Sequence, residues 1–138
     1  MKNTFHANII AVAAFLGMLG VAFGAFGAHF LKTRLDANAI DVLKTGVLYL
    51  FIHTLATLMI SRLADTHPTS RLLRSVCVLF LLGVFLFSGS LFLISTSSLT
   101  GVPTPYIGFL TPLGGLCFIA GWLVLLIYAL SGRKGQVL

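Results

Sequence analysis

The sequence predicts an all-α fold: a polytopic membrane protein built as a four-helix transmembrane bundle. Three observations predict it. Of 138 residues, 58% are hydrophobic and only 9% charged, with a mean hydropathy of +1.06; average soluble domains carry about 25% charged residues. So few charges cannot cover a water-exposed surface. Second, no charged residue occurs from Asn3 to Leu31 or from Ser75 to Gly132. Third, Ala13, Gly17, Gly20, Gly24 and Gly27 recur at spacings of four, three, four and three, the repeat of one helix face. The length fits a single domain, residues 1–138.

The first span is expected over about residues 6–30. Met1–Gly27 has a signal-peptide outline, with Lys2 in front and Ala25-Phe26-Gly27 as small-residue site. Its apolar run exceeds the roughly 7–15 residues of a signal core and reaches the about 20 needed to cross a bilayer, so it reads as a retained helix. The glycine face, with Gly20 and Gly24 as a GxxxG, suits close helix approach and reads as the groove against which the other helices lie. On the opposite face Phe15, Met18, Leu19 and Phe26 meet lipid or bulkier neighbours.

Leu31–Lys44 holds Lys32, Arg34, Asp36, Asp41 and Lys44, with Leu31, Leu35, Ala39 and Val42 at helical spacing. It is either a short amphipathic turn at the interface or an early start to the second helix with Asp36 as N-cap. The second span covers about residues 40–63, and its uncharged part, Thr45–Ser61, has 17 residues, the short end of the spanning range. Tyr49, His53, Thr57 and Ile60 share a face, with Gly46 one turn earlier. In Ala64–Arg74, Pro68 stops a helix and Ser70 can cap the next.

The third span covers about residues 71–94, with Gly83 and Ser90 on one face. Ser95–Pro105 (STSSLTGVPTP) is rich in turn formers. The fourth span is expected over about residues 112–131, with Thr111 as N-cap and Pro112 at the first helical position, after a short helical piece at Tyr106–Leu110. Thr104-Pro105 is an equivalent start signal, which would make Pro112 a kink. Gly114, Gly115 and Gly121 offer another close-packing surface.

Orientation follows from basic residues. Lys2, Arg62, Arg71, Arg74, Arg133 and Lys134 fall on one side, and Lys32, Arg34 and Lys44 on the other. This predicts a cell (inner) membrane protein with both termini cytoplasmic. The same bias explains the net charge of +6, because the basic residues are scattered between spans rather than gathered as a nucleic-acid footprint. The expected partners are the lipid bilayer and either a second copy or another membrane protein, with no nucleic acid. Cys77 and Cys117 lie in apolar runs, where thiols behave as small hydrophobes. No CxxC or Cys/His metal spacing exists, so no disulfide, metal or cofactor is expected.

Several segments together carry a family resemblance: Gly24–His29 (GAFGAH), Thr45–His53 (TGVLYLFIH), Phe87–Phe92 (FSGSLF), and Thr111–Gly115 with Gly121-Trp122 (TPLGG…GW). In this order, over nearly the whole chain, they resemble the small four-helix membrane proteins of domain-of-unknown-function family 423, the YgdD-like and transmembrane protein 256-like proteins. Phe30 departs from the pattern, standing where many relatives carry glycine after GAH. The resemblance implies four membrane helices and no established activity.

Two polar residues stand out as functional candidates, His29 and His53. An ionisable side chain inside a span is by default a functional hypothesis, and His53 could relay a proton. It could equally stay neutral and bridge helices, at roughly 0.6 kcal/mol per hydrogen bond. No Asp or Glu lies in the uncharged part of any span to partner a relay, which favours the tie. His29 ends the first helix, where it can donate to unpaired carbonyls; the sharper reading pairs it with His53, Asp36 or Asp41. The different depths of the two histidines, and the lack of further ligands, argue against a metal site. Ser88, Ser90, Thr96 and Ser97 lack the GxSxG spacing of a nucleophile elbow. No catalytic residue is therefore assigned and no enzyme is expected. A non-enzymatic, structural or partner-subunit role leads. The alternative is a small transporter or channel component using His53 and the Pro105–Gly115 break, since interrupted spans mark transporter sites.

Overall fold

The computed structural model describes residues 4–67 and 69–134. Four helical segments are long and apolar enough to cross a membrane: Thr4–Thr33, Ala37–Thr66, Arg71–Ser95 and Leu110–Ser131. The first is helix α1 (Thr4–His29) with a 3-10 turn at Leu31–Thr33, and the second is α2 (Ala37–Thr66). The third is composite: α3 (Arg71–Gly83), a π-helical turn (Val84–Ser88) and α4 (Gly89–Ser95). A short α5 (Ser97–Thr100) and a 3-10 turn (Thr104–Tyr106) lead to α6 (Leu110–Lys134). Pro68 and Lys2, assigned roles from sequence, lie outside the described residues, as do the side chains of Arg133 and Lys134.

Local chemistry sets the helix starts. The Asp36 carboxylate accepts from the Ala39 amide at 2.7 Å, so α2 begins at Ala37, the earlier of the two starts the sequence allows. Ser70 caps α3 by accepting from the Leu73 amide at 3.4 Å. Gly101 ends α5 at φ 70°, a left-handed position suited to glycine. The fourth span differs from expectation. Helix α6 starts at Leu110, so Thr111 is not its cap, and Pro112 sits in the first turn, where amides lack helical partners anyway. The Thr111 hydroxyl is used instead against Ser90, 2.7 Å away.

The centre of the molecule is the pair formed by α2 and the third span, not the face of α1. In the apolar 18-residue stretch of each of these two spans 39% of residues are buried, against 22% in the first span and 17% in the fourth. The reason is polarity. Helix α2 carries His53, Thr54, Thr57 and Ser61, all buried, and such groups are costly against lipid unless packed inside. Helix α1 packs along α2, and α6 along the third span. Their outer faces, including Phe15, Met18 and Phe26 on α1 and Leu116, Ile119 and Leu123 on α6, are exposed.

The small residues divide sharply. A Cβ on Gly83 would stand 2.5 Å from the Phe118 ring and 3.1 Å from the Gly114 carbonyl oxygen; one on Gly121 would stand 2.5 Å from Phe80. At Gly114 a Cβ would overlap the backbone nitrogen of Phe87. In the α1–α2 seam, Gly20 faces the tips of Leu50 and Phe51 at 2.8 and 2.9 Å, and Gly27 faces Leu43 at 2.5 Å. Gly24 meets only Val47, at 3.8 Å, and Gly115 only Phe87, at 3.9 Å, ordinary contacts that do not demand glycine. Gly17 meets nothing within 4 Å, which corrects its place in the packing stripe. The seam takes the line Ile9, Ala13, Leu16, Gly20, and Gly17 is rotated to its edge. Gly46, not among the packing glycines expected, is needed: its Cβ would lie 2.8 Å from Phe92.

Candidate functional site

The polar centre forms where α2, the third span and α6 meet. Buried His53, 4% exposed, faces inward because it shares the side of α2 that also carries Gly46, Leu50 and Thr57. Its ring stacks on Phe118 (centroids 3.5 Å, planes 11° apart) and is met edge-on by Phe80 at 5.2 Å. Trp122 lies one turn beyond Phe118 on α6 and packs on Phe80 at 5.0 Å. Tyr49, one turn before His53, closes the box against Phe87 at 4.6 Å.

The hydrogen bonds assign the protonation state. His53 Nδ1 lies 2.9 Å from the Tyr49 carbonyl oxygen, which can only accept, so Nδ1 carries the hydrogen. Trp122 Nε1, which can only donate, lies 3.2 Å from His53 Nε2, so Nε2 is the acceptor. His53 is thus a neutral imidazole with both nitrogens engaged. A proton added to Nε2 would confront the indole N–H directly. Below it, the Thr57 hydroxyl donates to the His53 carbonyl at 2.7 Å. The Thr54 hydroxyl, next to His53 in sequence, and the Ser88 hydroxyl of the third span are buried with no hydrogen-bond partner among the described residues.

A second cross-span tie joins the TPLGG break to the third span. Ser90 donates to the Phe87 carbonyl at 2.9 Å, which spends its single hydrogen. The Thr111 hydroxyl, 2.7 Å away, is therefore the donor to Ser90. The break does not meet His53, which touches α6 at Phe118 and Trp122 instead.

His29 and His53 are not brought together. His29 sits exposed at the end of α1 and its side chain makes no hydrogen bond among the described residues, so the carbonyl tie expected of it is not formed. Its neighbour Gly27 packs on Leu43, ten residues before His53, a separation of about 15 Å along a helix. No cluster of three His, Cys, Asp or Glu side chains that could hold a metal exists among the described residues. Cys77 and Cys117 are free thiols.

Sequence reading missed two polar partners. His6 Nδ1 lies 2.7 Å from the Ser61 hydroxyl and 3.1 Å from its carbonyl oxygen, tying the start of α1 to the end of α2. The sequence alone leaves Trp122 as either an interface or a core aromatic; its i, i+4 spacing from Phe118 is the available signal that both rings face one neighbour.

Comparison with known proteins agrees with the membrane class. The family described as "Protein of unknown function (DUF423)" matches residues 23–115. The chain belongs to this family. Its relatives include the UPF0382 inner membrane protein YgdD of Escherichia coli (strain K12), 38% identical over 128 residues, covering 92% of this chain and 93% of the relative. The UPF0382 membrane protein YwdK of Bacillus subtilis (strain 168) is 33% identical over 122 residues, covering 88% and 95%. A UPF0382 membrane protein of Haemophilus influenzae is 36% identical over 127 residues, covering 91% and 92%. No solved structure matches. The protein is a multi-pass membrane protein of a family without an assigned biochemical role, and the matched residues include His53, Ser90 and Thr111.

Proposed function

We propose that the protein is non-enzymatic and serves as a compact structural or partner subunit of the inner membrane, with both termini in the cytoplasm. The observation that carries this reading is the saturation of His53. Its two nitrogens are held by the Tyr49 carbonyl and the Trp122 indole, and its ring lies on Phe118, so the one histidine of the mid-span segment of α2 ties α2 to α6. A relay group needs a free lone pair and a proton partner, and here the lone pair is taken. The partner is either a second copy or another membrane protein, met through exposed helix faces. Purification in mild detergent with crosslinking tests this: a stable homo-oligomer or a defined co-purifying membrane protein is expected. A C-terminal reporter active only outside the cytoplasm would overturn the orientation.

A second reading, a small transport component, is favoured by the Thr54 hydroxyl beside His53 and the Ser88 hydroxyl of the third span, both buried and unpartnered among the described residues, which could serve a transient polar guest. Proton or ion flux in proteoliposomes that disappears in a folded His53→Ala variant would replace the first reading with this one.

A further inference from the structure

We propose that the cleft between α1 and α2, at the end marked by Lys32 and Lys44, holds an acyl chain of a membrane phospholipid whose anionic headgroup rests on the two lysine ammoniums. The cleft has a volume of about 460 Å³, within the range of about 300–1,000 Å³ typical of ligand pockets. It exists because the seam is tight at Gly20 and Gly27 but slack at Gly24, whose nearest neighbour across the gap, Val47, is 3.8 Å from a Cβ position. Phe23, Ile40, Val47 and Phe51 make its walls. They offer water no partner, and an apolar cavity of this kind stays dry. Leu48, which lines the cleft one turn beyond Lys44 and within the uncharged stretch of α2, is 56% exposed, so the cleft opens toward the bilayer and hydrocarbon can fill it.

The mouth supplies the polar complement. Lys32 and Lys44 both line it. Of the other charged groups at this end, Arg34 lies over the Phe30 ring at 4.3 Å, and Asp36 caps α2. Asp41 pairs with Lys44 at 3.1 Å with both side chains more than 70% exposed, an arrangement water screens and a phosphate can replace. Lys32 has no ion pair or hydrogen bond among the described residues. A basic rim on an apolar cleft between spans is the chemistry that recognises anionic lipid headgroups. From Lys44 to Phe51 is seven residues, about 10 Å of helix, so the cleft takes the chain segment next to the headgroup and leaves the tail in the bilayer.

Native mass spectrometry of the full chain in detergent, with added phosphatidylglycerol or zwitterionic phosphatidylcholine, tests this. The wild type is expected to retain phosphatidylglycerol in preference to phosphatidylcholine. A lysine near an anionic group contributes roughly fivefold, so Lys32→Ala with Lys44→Ala lowers phosphatidylglycerol retention about 25-fold and leaves phosphatidylcholine unchanged. Gly24→Leu, which grows into the cleft, abolishes retention of both, whereas Gly17→Leu abolishes neither. The lysine variant alters only exposed side chains and decides the matter if Gly24→Leu does not fold. Absence of a lipid adduct on the wild type, equal phosphatidylglycerol retention by the lysine variant, or full retention by folded Gly24→Leu would each overturn the proposal. So would a dimer that Gly24→Leu dissociates, which would put a second copy in the cleft.

Discussion

The two outer helices are held by different means. Helix α6 meets the third span through backbone: Gly114 lies against the main chain of Phe87, Gly83 against Phe118 and the Gly114 carbonyl, and Gly121 against fully buried Phe80. Each glycine accepts an aromatic ring or the backbone beside one; the Ser90–Thr111 hydrogen bond pins the seam, and the His53–Trp122 hydrogen bond ties α6 to α2 beside it. Helix α1 meets α2 through side-chain tips. Gly20 and Gly27 face the ends of Leu50, Phe51 and Leu43, which can rotate away, and a cleft of about 460 Å³ opens beside Gly24. In lipid no hydrophobic force distinguishes helix contact from lipid contact, so packing and hydrogen bonds decide. The α6 seam has both, and the α1 seam has packing interrupted by a gap and, among the described residues, a single tie at His6–Ser61.

That contrast can be broken by substitution, with thermal unfolding in detergent as the common measurement. Gly114→Ala should cost the most, about 3 kcal/mol or more, because an added methyl must push two backbones apart. A wild-type melting temperature for this variant would show that the α6 seam is not limited by backbone contact. Trp122→Phe keeps the ring but leaves His53 Nε2 buried without a donor, at an expected cost of about 1–2 kcal/mol. A double-mutant cycle with His53→Leu should recover part of that cost as coupling; strict additivity would mean the bond contributes nothing. Gly20→Ala is expected to cost about 1 kcal/mol, since Leu50 and Phe51 can shift their tips. A loss as large as that of Gly114→Ala would erase the difference between the seams. Gly17→Ala should be neutral or stabilising by up to about 1 kcal/mol, the helix preference of alanine over glycine; destabilisation would place a neighbour there that the structure lacks.

Much of the fold was readable in the chain because its causes are local or compositional. Charge-free runs of spanning length mark the four helices. Asp36 and Ser70 cap helices through amides three residues away, a contact that needs no tertiary partner. The inward turn of His53 follows from the face it shares with Gly46 and Thr57. The glycine stripe was legible as a periodic pattern, yet its periodicity could not separate Gly20, which is packed, from Gly17, which is not. A helix face about 100° wide contains both, and only the crossing of α1 over α2 chooses between them. The π-turn at Val84–Ser88 has no signal of its own; it lies where α6 presses Gly114 onto Phe87.

By itself, then, the sequence determined the membrane class, the number of spans, the two caps and the polar character of α2. Those features depend on transfer from water to lipid and on bonds within one turn of chain. The tertiary structure alone decided that α2 and the third span form the centre, that Trp122 meets His53, that Thr111 serves Ser90 rather than its own helix, and that a cleft remains beside Gly24. Each of these joins residues from separate spans, and their meeting depends on how helices cross, which no periodicity within a single helix encodes.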